Sequence, residues 1–423
     1  AVDDRTVEIE LADPYHAARD VLAHSAFSIL PAGAVDDVPG HDGDRSQAAF
    51  AADPVGCGPF RFESWEPERS VRVGAFEAYH GERPSIPGIE FVLREDPDDE
   101  RYTFELADEI DVFGVAPTKY DPSRATVERE DANGRRLGTY GPLDPLGETV
   151  NFTLVPTLNT FYLGFNTDRV PRAVRRAVAY ATDRSPVEEA LAGRARPAYH
   201  LTPPALFPGG VEGYDDHAAD YPYGRERRPD AARETLAEAG YGPDDPWELT
   251  LTTYRYRAWE TLGAAFADQL ADVGIDLTVE VLDLEAAVAK NRRGESEAYA
   301  IGWLADWPTL DSVLRPADPA RSRADADQRS SYFEWGETPA AERARTAYAR
   351  LADTRGRGEE PQETRNRAAL DVETALWEDV PLLPVYHHSY QTFFREYVDL
   401  PPMGSLSPGR QKLHTVRYTG PRP

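Results

Sequence analysis

Residues 284–308 read LEAAVAKNRRGESEAYAIGWLADWP. The stretch passes from an amphipathic helix through a turn broken at Gly294 into a short apolar strand, Ala298 to Trp303. Trp303, Asp306 and Trp307 then stand together. Aromatic rings exclude water, and a carboxylate held among them pairs with a cation in a drier medium, where the attraction is stronger. The stretch reads as a site for binding a small cationic group before it reads as a catalytic one.

Helix and strand alternate on both sides of it. Upstream, Pro171 suits a first helical position, and Val174, Val178 and Ala181 mark one apolar face. Pro229 to Ala239 repeats the pattern with Gly240 as its stop, and Leu249 and Leu251 alternate in a strand. A helix carrying Leu262, Phe266, Leu270 and Val273 stops at Gly274. Ile275, Leu277, Val279 and Val281 then alternate with polar residues, which forecasts a strand with one face toward water. Downstream, helices are expected near Ala340–Ala352 and Arg365–Trp377, with a charged surface loop Thr354–Glu363 between them and a strand Leu382–Tyr386 after them.

Before residue 165 the texture is β-rich. TVEIEL from residue 6 alternates as a strand, Pro14–His24 as a short helix, and Val35–Ser46 as a polar loop. GPFRFESW, SVRVGAF and IEFVLRE form a three-stranded meander, Asp98–Glu109 a helix and Ile110–Phe113 a strand. Asn151–Phe165 is read as two strands broken at Pro156. The order β-rich, α/β, β is met most simply by a discontinuous first lobe enclosing a contiguous second one. The hinge would then be two crossing strands near Phe161–Phe165 and Leu383–Tyr386.

A chain of 423 residues calls for two or three lobes rather than one core, and it contains no run of 18 apolar residues. The net charge is −28, and only three of the 46 basic residues are Lys (Lys119, Lys290, Lys412). Either a GC-rich genome or life in concentrated salt accounts for this, since self-repulsion is screened within about 3 Å at roughly 1 M ionic strength. The acidic surface offers no basic stripe for nucleic-acid phosphates. Cys57 is the single cysteine and reads as filler in the turn Val55–Pro59. GxSxG, HExxH, Walker and GxGxxG motifs are absent, and no catalytic residue or cofactor is assigned.

DPVGCGPFRFESWE (53–66), Tyr79-His80-Gly81 and Pro87–Phe91 strongly resemble the family 5 extracellular solute-binding proteins, which serve ABC importers of peptides and nickel. LADEIDVFGV (106–115) and TFYLGFNTDRVPRAVRRAVAYATDR (160–184) are similar to further family blocks. So are Tyr221–Tyr241, Ile301–Pro308 and Pro381–Tyr386, all in family order. The resemblance implies an α/β, two-lobed, periplasmic-binding-protein-like fold of the cluster C type. Residues 1–38 would end a small extra subdomain of lobe 1, 39–160 form lobe 1, 161–385 form lobe 2 and 386–423 return to lobe 1. It also implies an extracellular receptor, cell-surface associated and monomeric when complete, that closes around a small peptide and delivers it to permease subunits. A non-peptide solute (nickel chelate, oligosaccharide) or a sensory role on the same scaffold are the alternatives. The family opens with a longer segment than this chain has, so a missing N-terminal portion is expected, and with it the region of any lipid-anchoring cysteine.

By the same resemblance Asp306 meets the ligand's α-ammonium, against the plainer reading of a turn before Trp307-Pro308. Trp307 stands where the family commonly has Tyr. Trp303 forms a cleft wall or, equally, a core residue. Arg255, beside Tyr256 in the loop Thr253–Ala258, is the candidate for the ligand carboxylate, against a solvated surface role. Tyr386 faces the ligand only if strand alternation points it that way. His387 and His388 cannot easily share one metal ion, because adjacent strand residues face opposite ways.

Overall fold

The computed structural model describes residues 3, 6–31, 33–34, 45–93, 110–116, 119–143, 147–242, 245–406 and 408–422. Most of the expected Val35–Ser46 loop and the expected helix Asp98–Glu109 lie outside them. The chain divides into two compact units, one of residues 22–156 and 389–423, the other of residues 1–21 and 157–388.

In the first unit, β1 (Phe60–Glu66), β2 (Ser70–Ala75) and β3 (Gly88–Val92) form the antiparallel meander in that order. β4 (Val112–Phe113) lies antiparallel to residues Phe393–Phe394. β5 (Ala125–Glu130) and β6 (Arg136–Leu143) make a hairpin whose turn contains Asn133-Gly134, a hairpin signal that the pattern reading missed. Phe113, Tyr140, Phe152 and Phe393 pack as this unit's aromatic core.

β7 (Glu148–Phe165) is one unbroken strand of 18 residues rather than the two expected. Pro156 is tolerated because, on the edge of β7 that meets first β6 and then β11, it falls between two ladders. The pairing with β6 ends at Leu154, and a second pairing begins at Thr160, so the missing N–H is not required there. The expected strand at residues 6–11 is also corrected. Apart from an isolated bridge between Asp3 and Thr6, the described residues there form no ladder, and Val7 and Ile9 are exposed. Alternation specifies a strand only where an edge is present to pair with it.

The second unit adds β8 (Ala195–Pro197), β9 (Trp247–Tyr254), β10 (Ile275–Leu282), β11 (Ala298–Trp303) and the first part of β12 (Leu382–Phe394), whose residues from Ser389 on belong to the first unit. β10, β9, β11 and the end of β7 are neighbours in that order, with β9 parallel to β10 and to β11, and β11 antiparallel to β7. Alternation along β7 sends Leu163 and Phe165 into one apolar cluster with Trp259, Phe266 and Tyr386. Tyr162 enters the other, with Tyr299, Phe333 and Leu376. Each such large side chain, fully buried, contributes roughly 1.5–3 kcal/mol. Residues 1–21 group with this unit because Tyr15 bonds Asp311 and Asp13 pairs with Arg355.

The last helix, Glu359–Asp379, begins within the expected surface loop. Glu359 and Glu360 in its first turn favour the positive end of the helix dipole, which extends it to Gly358. Its interior buries Glu373, which accepts the N–H groups of Leu201 (3.1 Å) and Thr202 (2.7 Å). Burial pushes the Glu373 carboxyl up to about 7. His200, with Nδ1 3.8 Å from that carboxylate, is held down to about 3 by its own burial. The buried Arg184 donates to the Pro384 carbonyl and the Tyr221 hydroxyl, both at 2.8 Å, and so ties the helical layer to β12.

Candidate ligand-binding site

β11 delivers the candidate site. Ile301 and Trp303 share one face and pack on the Tyr162–Phe333 cluster, while Gly302 faces the other way. Gly302 pairs with Phe161, and a Cβ added there would lie 2.6 Å from Cε1 of the Phe161 ring. Glycine is thus what lets that ring lie across the strand. The ring stacks on Tyr386 with centroids 4.6 Å and planes 8° apart, and it neighbours Tyr256 (6.4 Å), Trp259 (6.3 Å) and His388 (5.9 Å). Gly302→Ala is expected to displace Phe161 and lower stability by about 1–3 kcal/mol in urea unfolding; unchanged stability would show that the ring yields freely.

After Trp303 the chain exposes Leu304, buries Ala305 and leaves Asp306 and Trp307 half-buried. The short helix Leu310–Val313 then turns back beneath them. Ser312 Oγ accepts the N–H of Asp306 at 3.2 Å and, more weakly, that of Trp307 at 3.5 Å. The Trp303 indole N–H donates to the Ser312 carbonyl at 2.9 Å. The three residues singled out from the sequence are therefore brought together, through one serine.

The others are placed differently. Arg255 is in an exposed ion pair with Asp283 at 3.4 Å, both side chains more than three-quarters in water. That is the solvated arrangement rather than a desolvated fork aimed at a ligand carboxylate. Tyr256 caps the helix Arg257–Ala271 and is half-buried against Phe161; burial raises its phenol, and the neighbouring Tyr386 opposes this. Tyr386 is fully buried beneath Phe161, and burial raises its hydroxyl well above the usual range. The two hydroxyls are neighbours without the geometry of a hydrogen bond. His387 meets Thr160 Oγ1 (2.9 Å) and the Tyr214 hydroxyl (3.0 Å), whereas His388 sits beside Phe161 on the opposite face.

Tyr15, Asp311 and Ser312 were not singled out by their sequence pattern. The Tyr15 hydroxyl donates to Asp311 Oδ2 at 2.8 Å, and the Tyr348 hydroxyl donates to the Asp311 carbonyl at 2.9 Å. Burial first, and Asp311 second, raise the Tyr15 phenol. Tyr15 lies 296 positions from Asp311, a separation at which no local periodicity signals a contact. The structure thus holds the turn that carries the half-buried Asp306 and Trp307 to the short helix through Ser312.

The sequence profile of the bacterial extracellular solute-binding proteins, family 5, matches residues 1–323. The chain belongs to that family. This family 5 protein is 25% identical over 339 residues to the dipeptide-binding protein of Escherichia coli strain K12, covering 79% of its own length and 57% of the relative. It is 26% identical over 344 residues to di/tripeptide-binding protein 2 of Pseudomonas aeruginosa, covering 79% and 56%. It thus spans less than three-fifths of these relatives. Among solved structures it shares its fold with Haemophilus influenzae OppA in complex with the peptide RPPGFSPFR. The TM-score is 0.67 at 16% identity, over 97% of this chain and 72% of that one. Family 5 members bind solutes and are not enzymes. No helix among the described residues is long and apolar enough to cross a membrane.

Proposed function

We propose that this protein captures di- or oligopeptides outside the cell and delivers them to the permease of an ABC importer. Its membership of family 5 carries the reading, together with relatives named for dipeptide and di/tripeptide binding. Asp306, flanked by Trp303 and Trp307, supports it, because a peptide's α-ammonium is the cation that such a group would meet. In this reading β7 and β12 carry the two crossing strands of the hinge about which the receptor closes on its ligand. Ligand contacts available only in the closed form would drive that closure. Main-chain pairing with strand edges would make recognition tolerant of peptide sequence. The complete protein would act as a monomer at the cell surface.

Calorimetric titration with a dipeptide, a tripeptide, a nonapeptide and a nickel chelate tests the proposal. Saturable heats with peptides and none with the chelate are expected; the reverse pattern overturns it. The charge of −28 with three lysines further supports adaptation to concentrated salt. Lowering salt from molar levels to roughly 0.1 M should lower the melting temperature, as acidic self-repulsion regains its range. A melt independent of salt counts against that adaptation.

A further inference from the structure

The candidate site's geometry converges on a residue that its sequence context does not mark. Ser312 is 2% exposed. Its Oγ accepts from the amides of Asp306 and Trp307, and its carbonyl accepts from the Trp303 indole. The short helix that carries it is itself held at Asp311 by Tyr348 and by Tyr15, from segments 37 and 296 positions away. The serine is therefore fixed from several directions before any ligand arrives.

We infer that Ser312 is a positioning residue for recognition of a free ligand ammonium group: it sets where Asp306 stands relative to the cation. The inference rests on the reading of Asp306 as the amine anchor. A hydroxyl oxygen has two lone pairs and can serve two N–H donors at once. With the turn's amides held, the main chain that carries the Asp306 side chain is fixed, which lowers the ordering cost of presenting its carboxylate on binding. The Trp303 tie uses the main-chain carbonyl, so Ser312→Ala removes the amide contacts and leaves the indole contact in place.

The experiment titrates a dipeptide and its N-acetyl counterpart into the full chain and its Ser312→Ala, Ser312→Thr and Asp306→Asn variants. The unaltered protein should prefer the free amine. Ser312→Ala should reduce that preference about fivefold, the loss expected for one modest hydrogen bond, while binding of the acetylated ligand stays the same. Ser312→Thr, which keeps the hydroxyl, should restore the preference. Amide exchange at Asp306 and Trp307, read without ligand, should accelerate in Ser312→Ala only. Full preference retained in Ser312→Ala, equal weakening of both ligands, or unchanged exchange at both amides overturns the inference and leaves the Asp306 reading intact. Absence of any amine preference in the unaltered protein removes the anchor and the inference together.

Discussion

Asp306→Asn is expected to weaken binding of a free-amine peptide by roughly ten- to a hundredfold, the equivalent of about 1.5–3 kcal/mol for a charge-assisted hydrogen bond. The substitution conserves shape and leaves the backbone N–H free to bond Ser312 Oγ, so the turn should survive. What it removes is the negative charge, whose attraction for an ammonium group is small in open water and larger in a closed, drier site. Because the ligand's ammonium would remain in the closed site, its unpaired charge adds to the loss. The melting temperature should change little. Isothermal titration decides it: equal affinity for the two proteins would take the amine-anchoring role away from Asp306.

Glu373→Gln should change the pH dependence of stability rather than binding. The carboxyl is fully enclosed and its folded pKa is raised to about 7. A raised acid contributes stability that is complete below its unfolded value, near 4.5, and is lost as pH climbs through its folded value. Over that window the native state carries a buried group that would ionise freely if unfolded. The separation of the two values corresponds to roughly 3 kcal/mol. Glutamine stays neutral, so the variant should gain on the unaltered protein by up to about that amount between pH 5 and pH 8.

His200, His387 and His388 have the opposite sign, because burial holds each below the ordinary imidazole value. They contribute stability that is lost as pH falls below about 6.5. For His387 and His388 that effect is common to both proteins and cancels in the difference, whereas His200, whose Nδ1 lies 3.8 Å from the Glu373 carboxylate, responds to the substitution directly. Urea unfolding of the pair across pH 5–8 checks the prediction; a difference that does not vary with pH would mean that Glu373 ionises as an ordinary surface carboxylate does.

Local readings succeeded where each element carried its own boundary signals. The strand Ile275–Leu282 and the helix Arg257–Ala271 were legible because their burial period and their glycine stops lie within a dozen residues. Pro156 misled because its meaning depends on which neighbour requires an N–H at that point, and that is a property of sheet pairing. The run Thr6–Leu11 misled for the same reason, since alternation describes faces but supplies no partner edge.

At the candidate site, the grouping of Trp303, Asp306 and Trp307 could be read directly, because one strand end and one turn place them within five residues. The exposed ion pair of Arg255 with Asp283 and the burial of Tyr386 under Phe161 could not. Charge and aromaticity are properties of a residue, but exposure is decided by what packs over it.

By itself the sequence determined the family, most of the helices and strands and the acidic, lysine-poor composition, and it marked Asp306 as a candidate for meeting a cation. All of these rest on residue types and on spacings shorter than a few turns of helix. Only the tertiary structure decided that Ser312 braces the turn, that Tyr15 reaches Asp311 from the far end of the chain, and that Glu373 is sealed from water. Each of those depends on contacts between segments far apart along the chain, where the free energy of burial and pairing is set by three-dimensional neighbours and leaves no periodic trace in the order of residues.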